Sequence, residues 1–205
     1  MGEFPMRVQA VTASLLVLAT LAGCHRAEDA NTALGPVIAC IVFDCPPAEL
    51  TSLVRNPRDA NQRALADKTP LMFAAGANLA ISDRVWKRAG RAPRPTTRVE
   101  YVKILLAAGA KVDAFDKSGA TALGAAIYNG DPDVVQLLLQ ARADPNQLTS
   151  DMTPLQLAVI HCDGALVRML LDAGAKLGPH DRTPGESLTE LAQIGKCPEV
   201  VPATS

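Results

Sequence analysis

The stretch TPLQLAVIHCDGALVRMLLDAGA, residues 153–175, contains two short apolar segments, each of a length that suits one helix. Thr153 can accept a hydrogen bond from an unpaired backbone N–H at a helix start, and Pro154 has no N–H to lose and a preset φ. Ala158 falls on the apolar face, where its small side chain lets a neighbouring helix approach closely. Gly174 follows the second segment, where helices commonly end in the left-handed conformation. The stretch therefore predicts two helices joined by a turn.

This pattern occurs three times in the chain. Thr121 precedes Thr153 by 32 residues, and a valine follows each of them after 14 residues, at Val135 and Val167. An earlier copy begins at Thr69. A unit of two short helices cannot bury its own apolar face, so neighbouring units must stack. The repeats predict an all-α solenoid, and the aromatic content of 3% agrees with closely packed small helices.

The motifs make the chain similar to the ankyrin-repeat family. Its Thr-Pro-Leu helix starts, its Val-Leu-Leu runs and its closing Gly-Ala pairs resemble that family over roughly residues 48–201. The resemblance implies about three full repeats, short β-hairpin-like turns and degenerate caps at both ends. We expect the first cap to be a single amphipathic helix in PPAELTSLVRN, residues 46–56. The copy that begins at Thr183 loses its apolar pattern, as expected of a terminal cap.

The chain departs from the family pattern at several positions. Arg142 stands where the closing glycine belongs. A non-glycine residue in the left-handed region costs about 1 kcal/mol, so we expect an irregular turn there. The histidine that usually follows Thr-Pro-Leu is replaced by Met72, Gly124 and Gln156.

One insertion interrupts the period between the two helices of the first full repeat. Thr69 and Val102 are 33 residues apart, and we assign the extra residues to about 80–99. This segment carries six basic residues against one acid. One interpretation is a tolerated surface loop, since insertions there are thermodynamically cheap. The other is a partner-recognition arm, because Trp and Arg are frequent at interface hot spots. The candidate contact residues of such an arm are Trp86, Arg88, Arg91 and Arg94.

The amino terminus has the charged, apolar and small-residue order of an export signal. Its apolar segment, about residues 11–22, is short for a membrane span, which takes roughly 20 apolar residues. Leu21-Ala22-Gly23-Cys24 resembles the lipobox of bacterial lipoproteins, in which the cysteine becomes the first mature residue and carries acyl chains. The resemblance implies membrane attachment through Cys24 in the periplasm. His25 stands where that family uses Asp for retention at the inner membrane, which favours the outer membrane.

These interpretations divide the chain into four parts. They are a lipoprotein signal peptide (1–23), a lipidated linker (24–36), the ankyrin-repeat domain (37–201) and a tail (202–205). Met1 and Met6 both remain possible starts of translation.

Four cysteines remain if Cys24 carries lipid, and an even number in an oxidising compartment indicates disulfides. Four cysteines allow three connectivities, which the count alone leaves open. A zinc site is disfavoured because no C-x-x-C pair is present. Alignment with the repeat places Cys162 at an inter-helix turn and Cys197 near the equivalent turn of the next layer. The alignment therefore favours Cys162–Cys197 and, by proximity, Cys40–Cys45.

Catalysis finds little support in the sequence. None of His25, His161 and His180 lies in a recognisable nucleophile, zinc or phosphate motif, so we expect no enzyme, cofactor or metal. The formal net charge of -1 and the export signal disfavour nucleic acid as a partner.

The family resemblance implies that the partner is another protein, bound at the turn tips and the inner face of the first helices. Those positions map to Phe115, Lys117, Tyr128, Gln147, Leu148 and Ile160. We therefore expect a non-enzymatic lipoprotein that holds another protein in the periplasm. The alternative is an immunity protein that neutralises an antibacterial effector there.

Overall fold

The computed structural model describes residues 34–42, 44–76 and 95–176. These residues form nine α-helices, one 3-10 turn at Leu65–Asp67 and no strand longer than an isolated bridge. The helices are α1 (Pro36–Val42), α2 (Pro47–Leu53), α3 (Pro57–Ala60), α4 (Pro70–Ala74), α5 (Pro95–Ala107), α6 (Ala122–Tyr128), α7 (Pro132–Gln140), α8 (Pro154–Ile160) and α9 (Gly164–Asp172).

The three repeated threonines start helices, as the sequence predicts. Thr69, Thr121 and Thr153 are the N-caps of α4, α6 and α8. Each hydroxyl accepts a hydrogen bond from the backbone N–H three residues further on, at 3.4, 3.1 and 3.1 Å respectively. These bonds satisfy N–H groups that lack a partner inside the helix, and so fix where each first helix begins.

The helices pair into four layers that stack in two rows. The layers are α1 with α2, α4 with α5, α6 with α7, and α8 with α9. The first helices contact one another in the order α1, α4, α6, α8, and the second helices in the order α2, α5, α7, α9. Ala74, Ala126 and Ala158 are each 0% exposed, which places the repeated alanine between neighbouring layers. The predicted all-α solenoid is confirmed.

The first cap differs from the prediction, because it has two helices instead of one. The predicted helix corresponds to α2, but α1 precedes it and packs on α4. Every residue from Val37 to Ile41 is buried. A helix that is apolar on all sides has no polar face, so it lacks the amphipathic period by which the sequence could have revealed it.

The long insertion ends earlier than predicted. Helix α5 begins at Pro95, so residues 95–99, which the sequence predicts to be part of the insertion, belong to the helix. Proline suits the first helical position because its φ is preset and its missing N–H would be unpaired there. Arg98 forms a partly buried ion pair with Asp131, at 3.5 Å, and so ties this extra turn to the next layer.

The turn at Arg142 is regular, so the expected irregularity is wrong. Arg142 adopts φ 65°, close to the values of 82° at Gly109 and 88° at Gly174. Its N–H bonds the Leu139 carbonyl at 2.9 Å, which reproduces the bonds made at the two glycines. The stacked layers therefore impose the left-handed conformation on an arginine, and the strain stays at this one residue.

We expect Arg142→Gly to raise the free energy of unfolding by about 1 kcal/mol, because glycine adopts φ near 65° without steric cost. Urea denaturation of the two proteins would measure the change. The matched control is Gly174→Ala, whose Cβ would have nothing within 4 Å. It should lower the free energy of unfolding by about 1 kcal/mol through backbone strain alone. An Arg142→Gly protein no more stable than the original would show that the turn is not strained.

Candidate protein-binding surface

Three hairpin connections project from the stack, and we call them fingers 1, 2 and 3. They comprise residues 61–69, 113–121 and 146–153. Each is closed by an isolated antiparallel bridge, formed by Ala64 with Lys68, Phe115 with Thr121, and Thr149 with Met152. Each therefore presents a short tip ahead of a first helix.

Backbone hydrogen bonds hold the fingers side by side. The N–H of Lys117 in finger 2 donates to the Ala66 carbonyl in finger 1, at 3.1 Å. The N–H of Ser150 in finger 3 donates to the Gly119 carbonyl in finger 2, at 3.2 Å. The three tips consequently form one connected platform.

Side chains reinforce the same platform. The Arg63 guanidinium donates to the Phe115 carbonyl at 2.9 Å, and Gln147 Nε2 donates to the Asp113 carbonyl at 3.1 Å. Gln147 was predicted to contact a partner, but its amide is engaged in holding finger 3 against finger 2. Its position in the repeat could not reveal that its side chain bonds the neighbouring finger.

A buried carboxylate organises finger 2 from inside. Asp116 Oδ1 accepts hydrogen bonds from the Ser118 N–H at 2.8 Å, the Ser118 hydroxyl at 2.6 Å and the Ala120 N–H at 3.0 Å. Its other oxygen pairs with the Lys68 ammonium of finger 1. Burial acts to raise the pKa of Asp116, but the bonds from Lys68, Ser118 and Ala120 outweigh it and hold the pKa at about 2.

The large apolar side chains exposed among the described residues all belong to the predicted partner-contact set. They are Phe115, 60% exposed, Tyr128, 68% exposed, and Leu148, 46% exposed. Phe115 and Leu148 occupy the same place in fingers 2 and 3, six residues after the left-handed Gly109 and Arg142. Lys117 is also exposed, on finger 2, whereas Ile160 is only partly exposed and packs against the core.

Tyr128, at the end of α6, contacts His161, the residue that follows α8. Their ring centroids lie 5.0 Å apart at an interplanar angle of 83°, which is an edge-to-face arrangement. Asp163 caps α9, because its Oδ1 atom accepts hydrogen bonds from the backbone N–H groups of Ala165 and Leu166, both at 3.0 Å. The sequence did not predict the aromatic pair, although the two residues stand at neighbouring positions of successive repeats.

The surface between the finger tips and the ends of the first helices is uncharged. Helices α4, α6 and α8 contain no Asp, Glu, Lys, Arg or His residue. Seven residues separate Thr121, at the base of finger 2, from Tyr128, which is about 10 Å along a helix. We call this surface, with Phe115 and Leu148 on one side and Tyr128 and Ile160 on the other, the inner face. It offers apolar contact without an embedded charge.

Two of the predicted disulfide cysteines, Cys40 and Cys45, are joined in the structure, with their Cα atoms 5.0 Å apart. Cys162 is also disulfide-bonded. Cys197 lies outside the described residues, so the Cys162–Cys197 pairing stays a prediction.

Other predicted positions also lie outside the described residues. They are the lipobox Leu21-Ala22-Gly23-Cys24 and the arm residues Trp86, Arg88, Arg91 and Arg94. Among residues 34–42, 44–76 and 95–176, no group of three or more His, Cys, Asp or Glu side chains could hold a metal ion. In the same ranges no helix has the length and apolar character needed to cross a membrane.

Stacked helical pairs with projecting hairpins and an exposed apolar inner face define a repeat solenoid, and the comparisons identify its class. A family model described as ankyrin repeats matches residues 96–181 in three copies. The chain is 34% identical over 147 residues to Ankyrin repeat domain-containing protein 63 of Homo sapiens, an alignment that covers 68% of this chain and 35% of the relative. The protein of the same name in Mus musculus is also 34% identical over 147 residues, covering 68% and 34%. This chain thus spans about a third of the length of the curated relatives it matches. The protein is an ankyrin-repeat solenoid, a class that generally mediates protein–protein interaction.

Proposed function

We propose that this protein is a non-enzymatic, lipid-anchored module that binds another protein in the bacterial periplasm. The observation that carries the binding role is the exposure of Phe115, Tyr128 and Leu148 on the inner face. The periplasmic location and the lipid anchor rest on the resemblance of residues 21–24 to a lipobox.

The energetics of the inner face suit a protein partner. Burying a large apolar side chain that was exposed contributes about 1.5–3 kcal/mol, so three such side chains can supply a large part of a binding free energy. The hydrogen bonds between the fingers hold Phe115 and Leu148 in place before binding, which reduces the entropy lost on association. One polar group nearby, the Gln147 amide, is already bonded within the platform to the Asp113 carbonyl. Apolar contact is therefore the main attraction that the inner face offers.

The binding role predicts that Phe115→Ala with Leu148→Ala weakens capture of the partner by about 30-fold or more, because two hot-spot side chains are lost. The melting temperature should stay within about 2 °C, since both side chains are exposed. Crosslinking in the intact envelope, followed by mass spectrometry, would identify the partner, and titration with that purified protein would give the affinities.

The matched control for this test is Arg168→Ala, an exposed position on α9 in the row of second helices. It should leave affinity for the same partner unchanged. Equal affinity of the original protein and the Phe115/Leu148 double variant would contradict binding at the inner face.

The lipid anchor predicts that Cys24→Ser abolishes incorporation of labelled palmitate and releases the protein from the membrane fraction. Globomycin, which inhibits the lipoprotein signal peptidase, should cause a larger precursor to accumulate. Unaltered processing in the presence of globomycin would refute the anchor while leaving the binding role untouched.

An immunity protein is a particular form of this function, favoured by the lipid-anchored location in the periplasm that the lipobox implies. It would bind an antibacterial effector as it arrives from a neighbouring cell. Deleting the gene and growing the strain in contact with its parent distinguishes the two forms. Killing of the deletion strain by its parent would support immunity, whereas normal growth would favour an adaptor for an envelope protein.

A further inference from the structure

The turn between α1 and α2, within the first layer, contacts α5 of the second layer. Cys40 of α1 is disulfide-bonded to Cys45, and the Cys45 N–H donates to the Cys40 carbonyl at 2.9 Å. The Tyr101 hydroxyl, which comes from α5, donates to the Cys45 carbonyl and lies 3.2 Å from Asp44 Oδ1. The disulfide and the tyrosine thus hold one turn from two sides.

The two cysteine residues differ in their exposure to solvent. Cys40 is buried with its neighbours in the core of the first layer, whereas Cys45 is partly exposed. Asp44, between them, adopts φ 53°, a left-handed conformation that is unfavourable for a residue other than glycine. The closed disulfide restricts this turn to a conformation that an open chain would seldom adopt.

The first layer depends on such restraint more than the others. Helices α1 and α2 have seven residues each, too few to be stable in isolation. They are the terminal layer of the described stack, and they contact the second layer through α4 and α5. Because a repeat array is coupled mainly between nearest neighbours, a terminal layer can open while the layers behind it stay folded.

We infer that the Cys40–Cys45 disulfide is a redox latch, whose reduction releases α1 and α2 from α4 and α5 without unfolding the later repeats. The reductant is a dithiol. One of its thiolates attacks Cys45 Sγ, a mixed disulfide forms, and the bond to Cys40 breaks so that Cys40 leaves as a thiolate. The second thiolate of the reductant then closes its own disulfide and releases Cys45. Two electrons and two protons pass from the dithiol to the protein.

Opening the latch uncovers groups that are hidden in the oxidised protein. Leu71 and Met72 of α4 and Tyr101 of α5 are each at most 2% exposed. Burial, and then the negative charge of Asp44 and its hydrogen bond, raise the pKa of Tyr101 well above its ordinary value of 10, and Glu49 and Glu100 add to the effect. Tyr101 therefore reports whether the first layer is docked.

The test compares the full chain with the variant Cys40→Ala, Cys45→Ser, both kept oxidised. Closing a loop this short reduces the number of conformations of the opened segment by a factor of about 30. Without the disulfide the first layer should open about 30 times more often, so amide hydrogen exchange in residues 36–53 should become about 30-fold faster. Exchange in residues 122–172 should change by less than about twofold. The matched control is Cys162→Ser, which removes a disulfide from the turn between α8 and α9 and should leave exchange in residues 36–53 unchanged.

A spectroscopic measurement provides the second arm. The chain has two tyrosines, so Tyr128→Phe leaves Tyr101 as the only one. In that background the absorbance of tyrosinate at 295 nm should be absent up to about pH 11 when the latch is closed, and should appear near pH 10 when both latch cysteines are replaced. Dithiothreitol should produce the same signal in the protein that retains them. Unchanged exchange in residues 36–53, loss of protection throughout the chain, or failure of the double variant to fold would each overturn the latch.

Discussion

Replacing Gly124 by alanine is expected to lower the free energy of unfolding by about 2–3 kcal/mol, although the same change inside a helix ordinarily raises it by up to about 1 kcal/mol. A Cβ at Gly124 would lie 2.7 Å from Thr149 Oγ1 and closer still to Thr149 Cγ2. Thr149 cannot move aside freely, because it is 7% exposed and its hydroxyl bonds that of Thr121 at 2.8 Å. The added methyl group would therefore force finger 3 away from α6.

Urea denaturation would measure this loss, and the chain offers a close control. Gly164 is the first residue of α9, and a Cβ there would have nothing within 4 Å. Gly164→Ala should thus be neutral or stabilising by up to about 1 kcal/mol. Introducing Gly124→Ala into a Thr149→Ala background should cost less than it does in the original protein, since the obstructing side chain is gone. A Gly124→Ala protein as stable as the original would show that finger 3 is not packed against α6.

The environment of Gly124 could be predicted only in part from the sequence. The absence of histidine at this place of the repeat is visible in the sequence, but the side chain that fills the space comes from another repeat. Leu148 precedes Thr153 by five residues, whereas its equivalent, Phe115, precedes Thr121 by six. Finger 3 is therefore one residue shorter than finger 2. A pattern within one repeat cannot show which residue of the next finger then faces Gly124.

Elsewhere in the fold, too, features set by local residue types were predicted from the sequence, and features set by contacts between repeats were not. The sequence predicted the helix starts at the threonines and the small alanines between layers. Both features depend on local residue types. Helix α1 was missed because an element buried on all sides has no periodic pattern to detect. For the inner face, the sequence indicated which positions lie at tips and helix ends, whereas the bond from Gln147 to Asp113 depends on contacts between repeats. Partner binding by Phe115, Tyr128 and Leu148 stays a prediction.

The other large expected effect concerns the buried carboxylate of finger 2. Asp116→Asn should lower the free energy of unfolding at pH 7 by about 3 kcal/mol, because it leaves the partly buried Lys68 ammonium without a counter-charge. The side-chain oxygen of an asparagine can still accept hydrogen bonds from the backbone N–H groups of Ser118 and Ala120. The loss of stability is therefore mainly electrostatic. Finger 2 also carries Phe115, and partner affinity should consequently fall together with stability.

Acid removes the same contribution from the original protein. The pKa of Asp116 is about 2 in the folded state, below its ordinary value of 3.8. A carboxyl whose pKa is lowered by folding stabilises the protein above its unfolded pKa, and the contribution disappears as pH falls through the folded pKa. The original protein should therefore lose about 2 kcal/mol through this group between pH 4 and pH 2. The Asp116→Asn protein should lack that part of the decline.

A double variant separates the ion pair from the other bonds of Asp116. Lys68→Met in the Asp116→Asn background removes the unpaired charge, so the double variant should be more stable at pH 7 than Asp116→Asn alone. Urea denaturation at pH 7, 4, 3 and 2 would give all the free energies required. Parallel declines of the original and the Asp116→Asn protein between pH 4 and pH 2 would show that Asp116 is not held ionised by finger 2. A double variant less stable than Asp116→Asn would show that Lys68 contributes chiefly through packing of its aliphatic chain.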